Sequence, residues 1–299
     1  MKKIILIILI LFLITGCSSY IELNDLAIID IIAIQKNNNN YKLSISYIEE
    51  IDKDSLTPKT KIIEKESSNI FLAFDELKLN INKKIYLSHL NMLIIDNSIK
   101  TKEIDEIINY FLNNQDSRED FLVIYSDEIE NIMQNSKFQE INDLVKINYQ
   151  ETSKVIYTTM YDLIKNYYNN KSFYLTKVNY DQNISTNGII KFKNNNYTNL
   201  EENEGIFINY LLNNLDTYSY TYECMEGKNL TLKILKATSN KLKDNLLITN
   251  EINIIANDCK YQNKEINENF TNYLKENLKK YTNKKLEIKN TIRGNYENK

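Results

Sequence analysis

The sequence predicts an α+β fold in which mixed and antiparallel sheets are flanked by helices. Segments 41–47, 218–224 and 230–234 place apolar residues at every second position, which is the period of half-buried strands. Segments 101–115 and 264–281 each carry an apolar stripe at helical spacing. Because such helices and strands occur in both halves of the chain, we predict more than one α+β unit.

The first half is predicted to begin with a β-hairpin. A buried strand at 26–34, interrupted by Asp30, meets a return strand at 41–47. The asparagines at 37–40 provide the turn, since Asn tolerates the left-handed region. Segment 52–60 is polar and holds the single proline of the chain, so we predict a loop there.

Helices and strands then follow one another. Up to residue 125 we predict a short helix at 69–79, strand segments at 83–87 and 92–95, an amphipathic helix at 101–115 and an apolar strand at 121–125. A mostly helical region comes next, with helices at 126–134, 136–149 and 152–170.

The second half changes to strands and turns, with one long helix. After a strand at 173–179 we predict strands at 188–193, 218–224, 230–234, 246–256 and 286–292, a helix at 203–214 and the long helix at 264–281. The predicted organisation is a signal peptide at 1–17, an α+β domain at 18–125, a mostly helical domain at 126–183 and a second α+β domain at 184–299.

The first seventeen residues have the pattern of a lipoprotein signal peptide. Lys2 and Lys3 precede an unbroken apolar run at 4–14, which ends in a small residue, Gly16, and Cys17. The run is shorter than the roughly 20 residues that span a membrane. We predict cleavage between Gly16 and Cys17 and acylation of Cys17, which would tether the chain to the outer face of the cytoplasmic membrane. The alternatives are an ordinary signal peptide with a chance cysteine and a single anchor helix.

Composition excludes several kinds of site. The net charge of -3 gives no electrostatic case for binding nucleic acid. One histidine in the whole chain excludes any metal site that needs two, and five glycines cannot assemble a glycine-rich phosphate loop. The sequence therefore predicts no catalytic residue, no bound metal and no cofactor.

The single histidine, His89, stands beside Ser88 in an apolar stretch. A serine hydrolase would have to use this pair, and the chain has no Gly-x-Ser-x-Gly elbow to carry the nucleophile. A lone histidine in such a position is more often a structural hydrogen-bonding residue.

Two cysteines other than Cys17 are present, Cys224 and Cys259, each at a strand-like segment. Outside the membrane a disulfide between them is permitted. Two buried free thiols are an equal alternative, because spacing in the sequence says nothing about the distance between the Cα atoms.

Several stretches resemble the lipoprotein C subunits of spore germinant receptors, the Ger(x)C family. The segment Glu22-Leu23-Asn24 leads into the first strand, a lysine-rich strand enters the pair Ser88-His89, and Gly188 opens a Gly-x-x-x-Phe-Lys strand. An Asp-x-Arg turn at 116–118 and a strand cysteine, Cys224, are also similar. The motifs occur in order along nearly the whole chain. Family members run on further after a strand like 286–292, so the resemblance implies a shortened last domain.

The resemblance implies a three-domain α+β lipoprotein on the outer face of the spore inner membrane. It also implies two integral membrane partners, the A and B subunits of the receptor, and a role in sensing small nutrients without enzymatic activity. Two other hypotheses stand beside it: a solute-binding lipoprotein that serves a transporter, and a lipid-anchored hydrolase that uses His89.

Overall fold

The computed structural model describes residues 25–51, 58–135, 138–257, 259 and 262–293. The described residues form a nine-stranded sheet, a four-stranded sheet and seven helices. The predicted α+β class with mixed sheets is confirmed.

The first sheet contains the strands of the first two thirds of the chain. In order they are β1 (Leu26–Asn37), β2 (Asn40–Ile51), β3 (Pro58–Ser67), β4 (Lys84–Tyr86), β5 (Met92–Ile95), β6 (Leu122–Tyr125), β7 (Ser172–Asp181), β8 (Asn183–Lys193) and β9 (Asn196–Leu200). The helices among and after them are α1 (Ile70–Asn80), α2 (Thr101–Asn113), α3 (Ile129–Asn135), α4 (Phe138–Thr152), α5 (Met160–Asn170) and α6 (Glu202–Leu212).

Parallel strands form the centre of this sheet. The order is β3-β2-β1-β5-β6-β7-β8-β9, with β4 beside the first residues of β1. Strands β1, β5, β6 and β7 run in the same direction, and antiparallel hairpins extend both edges. Helices α1, α2 and α5 cover one face and α3 and α4 cover the other, so all four residues of β5 and of β6 are buried.

The second sheet has the order β10-β11-β12-β13. Its strands are β10 (Tyr218–Met225), β11 (Lys228–Lys241), β12 (Asn245–Asn257) and β13 (Lys285–Arg293), and its long helix is α7 (Asn263–Leu278). The α7 residues Ile266, Phe270, Leu274 and Leu278 are buried against this sheet. Of the described helices, none combines the length and the apolar character that a membrane span requires.

Two predicted elements differ in part from the structure. The predicted loop at 52–60 is wrong over residues 58–60, because Pro58 begins the edge strand β3, a position where a proline costs no ladder hydrogen bond. Residues 52–57 of that loop lie outside the described residues. The predicted helix at 152–170 is extended up to Thr159. Ser153 has φ of 49°, which ends α4, and Thr159 caps α5 by accepting a hydrogen bond from Asp162 N.

The predicted domain boundary at 183/184 lies inside the hairpin of β7 and β8, and the first sheet continues to Leu200. The division of the chain into domains stays a prediction.

Helix α6 connects the two sheets. Its residues Phe207 and Tyr210 belong to the core of the second sheet, while Ile208 packs with Ile156 and Ile189 of the first unit. A Cβ atom on Gly205 would lie 1.9 Å from the Lys154 carbonyl oxygen, so only glycine allows the helix to approach this closely.

Four residues further along α6, the buried Asn209 donates hydrogen bonds to the Ser153 and Val155 carbonyl oxygens, both at 2.9 Å. These two contacts hold α6 against the extended chain between α4 and α5.

Replacing Gly205 with alanine is expected to lower the free energy of unfolding by about 1 to 3 kcal/mol, because the new methyl group overlaps a backbone carbonyl. Guanidinium unfolding followed by circular dichroism measures this. Asn203→Ala, on the exposed side of the same helix, is the matched control and should stay within about 0.5 kcal/mol of the wild type. A Gly205→Ala protein as stable as that control would contradict the packing described.

Candidate functional site

The residues of the predicted lipidation site and of the first family-like motif lie outside the described residues. They are Gly16, Cys17, Glu22, Leu23 and Asn24. Their roles stay predictions.

Ser88 and His89 lie in a cleft of about 210 Å³ near the amino ends of β5 and β6, beside Arg118 and Asp120. The Ser88 hydroxyl donates to the Asp116 carbonyl oxygen at 2.7 Å. His89 is exposed, and its ring centroid lies 5.7 Å from that of Tyr86. The Ser88 hydroxyl thus ties the segment after β4 to the turn after α2, and within the described chain no hydrogen bond joins it to His89.

Gly188 has a structural role in β8. Its φ of 80° is a left-handed conformation, and a Cβ atom there would lie 2.4 Å from the Leu200 carbonyl oxygen of β9. On the neighbouring strand β7, the register of the β7–β8 pairing shifts between Thr176 and Val178. Glycine is needed at this bulge for both reasons.

Cys224 and Cys259 form a disulfide, with Cα atoms 6.4 Å apart. The bond joins β10, an edge strand, to the segment between β12 and α7. The structure therefore contains the first of the two alternatives that the sequence left open.

The structure does not bring these predicted residues into one site. Ser88 and His89 lie at the amino edge of the parallel strands, Gly188 lies against β9, and the disulfide belongs to the second sheet. In the described part of the chain, no group of three or more histidine, cysteine, aspartate or glutamate residues is arranged to hold a metal ion.

A polar cluster that the sequence analysis missed lies at the opposite edge, where the parallel strands end. Asp96 directly follows β5, and Asp127 comes two residues after the last residue of β6. Glu103 lies in the first turn of α2, which begins nearby. The carboxyl ends of parallel strands are the usual place for ligands in open α/β sheets. We call this group of carboxylates and its surroundings the carboxyl-edge site.

Each of the three carboxylates is paired with a protein group. Asp96 accepts hydrogen bonds from Gln35 Nε2 and Ser98 N, both at 2.9 Å. Glu103 forms an ion pair with Lys36 and accepts from Lys100 N at 3.0 Å.

Asp127 accepts from the Tyr125 hydroxyl at 2.5 Å and from Lys177 Nζ at 2.7 Å. Tyr125 and Lys177 are also the pair at which β6 meets β7.

These pairings decide the protonation of Glu103 and Asp127. Burial raises the pKa of Glu103, but hydrogen bonds from Lys36 and from the backbone outweigh it and hold the pKa below its ordinary value. Burial also raises the pKa of Asp127, but the hydrogen bonds from Lys177 and Tyr125 outweigh it, so this pKa too lies below its ordinary value. Both groups are therefore ionised near neutral pH and already satisfied, which suits them to positioning neighbours and not to proton transfer.

A cavity of about 420 Å³ opens beside this cluster. It is lined by residues from three places in the sequence: Asn97, Lys100, Tyr125, Ile190, Asn195, Asn196, Tyr197 and Asn199. The turn between β8 and β9 forms one wall, with Asn194 and Asn195 both at positive φ. Asn195 Oδ1 accepts a hydrogen bond from Thr101 N at 2.6 Å, so this turn caps the first residue of α2.

Tyr197 is the least satisfied residue of the cavity wall. Its hydroxyl oxygen is buried and has no hydrogen-bond partner among the described residues. Burial raises the pKa of this hydroxyl, and the nearby Asp96, Tyr125 and Glu103 raise it further. The signal for this site in the sequence was Asp96 directly after the apolar strand β5 and Asp127 two residues after the apolar strand β6, together with the asparagines of 194–196.

Comparison with known protein families matches residues 19–180 to the family described as "Spore germination protein N-terminal domain". The match covers more than half of the chain. The chain belongs to the Ger(x)C family of spore germination proteins. The match ends within β7, so the second sheet of this Ger(x)C protein lies beyond the matched residues.

Among solved structures, the chain is similar to the crystal structure of the GerBC protein. The two share 13% sequence identity, and the alignment covers 83% of this chain and 79% of that chain with a TM-score of 0.46. No curated protein matches the sequence.

Replacing Glu103 with glutamine should lower the free energy of unfolding near pH 7 by about 2 to 3 kcal/mol, because Lys36 loses the anion that pairs with it. The folded-state pKa of Glu103 is lowered, so its stabilisation is present above the unfolded pKa and is lost as the pH falls through the folded pKa. The difference between variant and wild type should therefore shrink below about pH 4.

Urea unfolding at a series of pH values measures this difference. Glu66→Gln, an exposed position on β3, is the control and should be near neutral throughout. A constant difference down to pH 2 would contradict the assigned ion pair.

Reducing the Cys224–Cys259 disulfide should lower the free energy of unfolding by about 2 to 4 kcal/mol. Unfolding of the wild type is measured with and without dithiothreitol. The Cys224→Ala/Cys259→Ala double variant serves as the control, since the reductant should leave its transition unchanged. A wild-type transition that does not move on reduction would argue against the bond.

Proposed function

We propose that the protein is the membrane-anchored lipoprotein subunit of a nutrient germinant receptor and is needed for spore germination. The family match over residues 19–180 carries this proposal. The protein would act by assembly with the two integral membrane subunits of the receptor, A and B, at the outer face of the spore inner membrane.

The lipid anchor is supported by the order of features along the chain. The signal pattern ends at Cys17, the family match begins at residue 19, and the described fold begins at Asp25. Segment 18–24 spans at most about 25 Å when fully extended. Acyl chains on Cys17 would hold the beginning of β1 close to the membrane, within reach of membrane-embedded partners.

A role in assembly is further supported by what the polar side chains do. Ser88 is bonded to a backbone carbonyl, Cys224 is bonded to Cys259, and the carboxylates of the carboxyl-edge site are paired with lysine, glutamine, serine and tyrosine groups. These contacts give the named side chains structural roles, which agrees with a subunit that acts by assembly.

Deleting the gene in its source organism tests the proposal. Spores should form normally and fail to respond to nutrients, while they still respond to a trigger that bypasses nutrient receptors. Germination is scored by the loss of optical density and the release of dipicolinic acid. Normal nutrient germination, in a strain that lacks every other receptor of this type, would overturn the proposal.

Complementing the deletion with Cys17→Ala tests the anchor. We expect the variant to leave the membrane fraction and to restore little germination, since the acylated thiol is gone. Ser18→Ala, at the neighbouring position, should restore both. A Cys17→Ala protein that stays in the membrane fraction and supports germination would show that the anchor lies elsewhere.

A further inference from the structure

Strand β13 forms a long and regular open edge of the second sheet. Among the described residues it pairs with β12 on one side, and no strand lies on its other side. One row of its backbone N–H and C=O groups therefore lies at the rim of the sheet, where a strand of another chain can pair with it. Strand β13 contains neither proline nor glycine, and all nine of its residues pair with β12 without a register shift.

The other three edge strands of the described fold are interrupted or short. Strand β3 begins at Pro58, and its pairing with β2 shifts register. The pairing of β10 with β11 also shifts, and Cys224 ties this strand to Cys259. Strand β9 has five residues. Proteins use such features to keep edges from pairing, so β13 is the edge best suited to receive a further strand.

The side chains of β13 alternate between two faces. The apolar residues lie on the face that α7 covers, at the rim of the core, and they are only partly buried: Leu286, Ile288 and Ile292. The residues of the opposite face are exposed and mostly charged: Lys285, Glu287, Lys289, Thr291 and Arg293. A strand added at this edge would remove more of the apolar surface from water.

A second copy of β13 complements this edge when the two strands run antiparallel about a twofold axis at Asn290. Each residue then lies opposite the residue at the same distance on the other side of Asn290. Ile288 meets Ile292 on the face of α7, and Glu287 meets Arg293 on the exposed face. Both kinds of cross-strand pair are stabilising, and the symmetry makes each of them twice.

Neighbouring registers fit less well. Moving the axis to Lys289 or to Thr291 places basic side chains opposite one another, which is destabilising. Moving it to Ile288 places Leu286 opposite the amide of Asn290. The sequence of the strand therefore favours one register of self-pairing.

The two charged residues keep their partners within the chain. Arg293 forms an ion pair with Glu251 at 2.6 Å, and Glu287 accepts a hydrogen bond from Asn245 Nδ2 at 3.0 Å. A guanidinium group has five N–H donors and a carboxylate has two oxygens, so each group can bind a second partner across the axis.

We propose that β13 pairs antiparallel with β13 of a second copy of this chain and joins two four-stranded sheets into one sheet of eight strands. The contact is little more than one pair of strands, so the dimer is of the weak class that buries less than about 1,200 Å². The inference rests on the edge strand and not on the proposed role in germination, so either can fail without the other.

Sedimentation velocity of the full chain in density-matched detergent tests for the dimer. The wild type should show a monomer–dimer equilibrium with a Kd near or below about 100 μM. A chain that stays monomeric up to roughly 200 μM would overturn the proposal and leave this edge to a strand of a different protein.

Charge reversal tests the register. Glu287→Lys and Arg293→Glu should each weaken dimerisation by about 10-fold or more, because like charges then face each other at both symmetric contacts. An equal mixture of the two variants restores both opposite-charge contacts, so its affinity should return to within about 3-fold of the wild type. Ser219→Lys, an exposed position on the edge strand β10, is the control and should dimerise as the wild type does.

The mixture separates the contact from a folding defect, because damage within either variant would persist when the two are combined. Equal dimerisation of the wild type and both single variants would overturn the register. A mixture that associates no better than the single variants would overturn it too.

Disulfide trapping locates the contact independently. Lys289 and Thr291 lie opposite each other in the proposed register, with Cα atoms about 4.5–5.5 Å apart, which is within reach of a disulfide. Mild oxidation of Lys289→Cys mixed with Thr291→Cys should give more cross-linked dimer than Ser219→Cys mixed with Thr291→Cys. Equal yields from the two mixtures would contradict the pairing.

Discussion

The docking of helix α6 on the extended chain between α4 and α5 is the contact on which the rest of the molecule depends. Gly205 permits close approach of the backbones, and the buried Asn209 amide supplies hydrogen bonds to two carbonyl groups that lie outside the helices and strands. The same helix contributes Phe207 and Tyr210 to the core of the second sheet. One short helix therefore packs against both sheets.

Parallel pairing of the central strands determines which polar residues meet at the edge of the first sheet. It places the ends of β5 and β6 side by side, so that Asp96 and Asp127 come to one edge and are held by Gln35 and Lys177. The hairpin of β8 and β9 then extends the sheet and brings its turn to the start of α2. A cavity forms there because a turn, a helix end and two strand ends meet without filling the space between them.

Regular spacing of apolar residues was enough to predict the helices and strands that bury one face. Helices α2 and α7 and strands β10 to β12 lie where the apolar spacing places them. It failed at residues 58–60, the beginning of the edge strand β3, where the proline is typical of a loop, and at 153–159, where apolar residues happen to have helical spacing. There the conformation is set by Ser153 in the left-handed region and by the cap at Thr159.

The sequence by itself determined the fold class, the signal pattern and the family, because these depend on local composition and on short motifs in order. Only the tertiary structure decided which polar groups meet. Gln35 and Asp96 are 61 residues apart in the chain, Thr101 and Asn195 are 94 apart, and the bonded cysteines are 35 apart. Such contacts follow from the order in which the strands pair and from the packing of helix α6. Neither of these can be recognised from the spacing of apolar residues in the sequence.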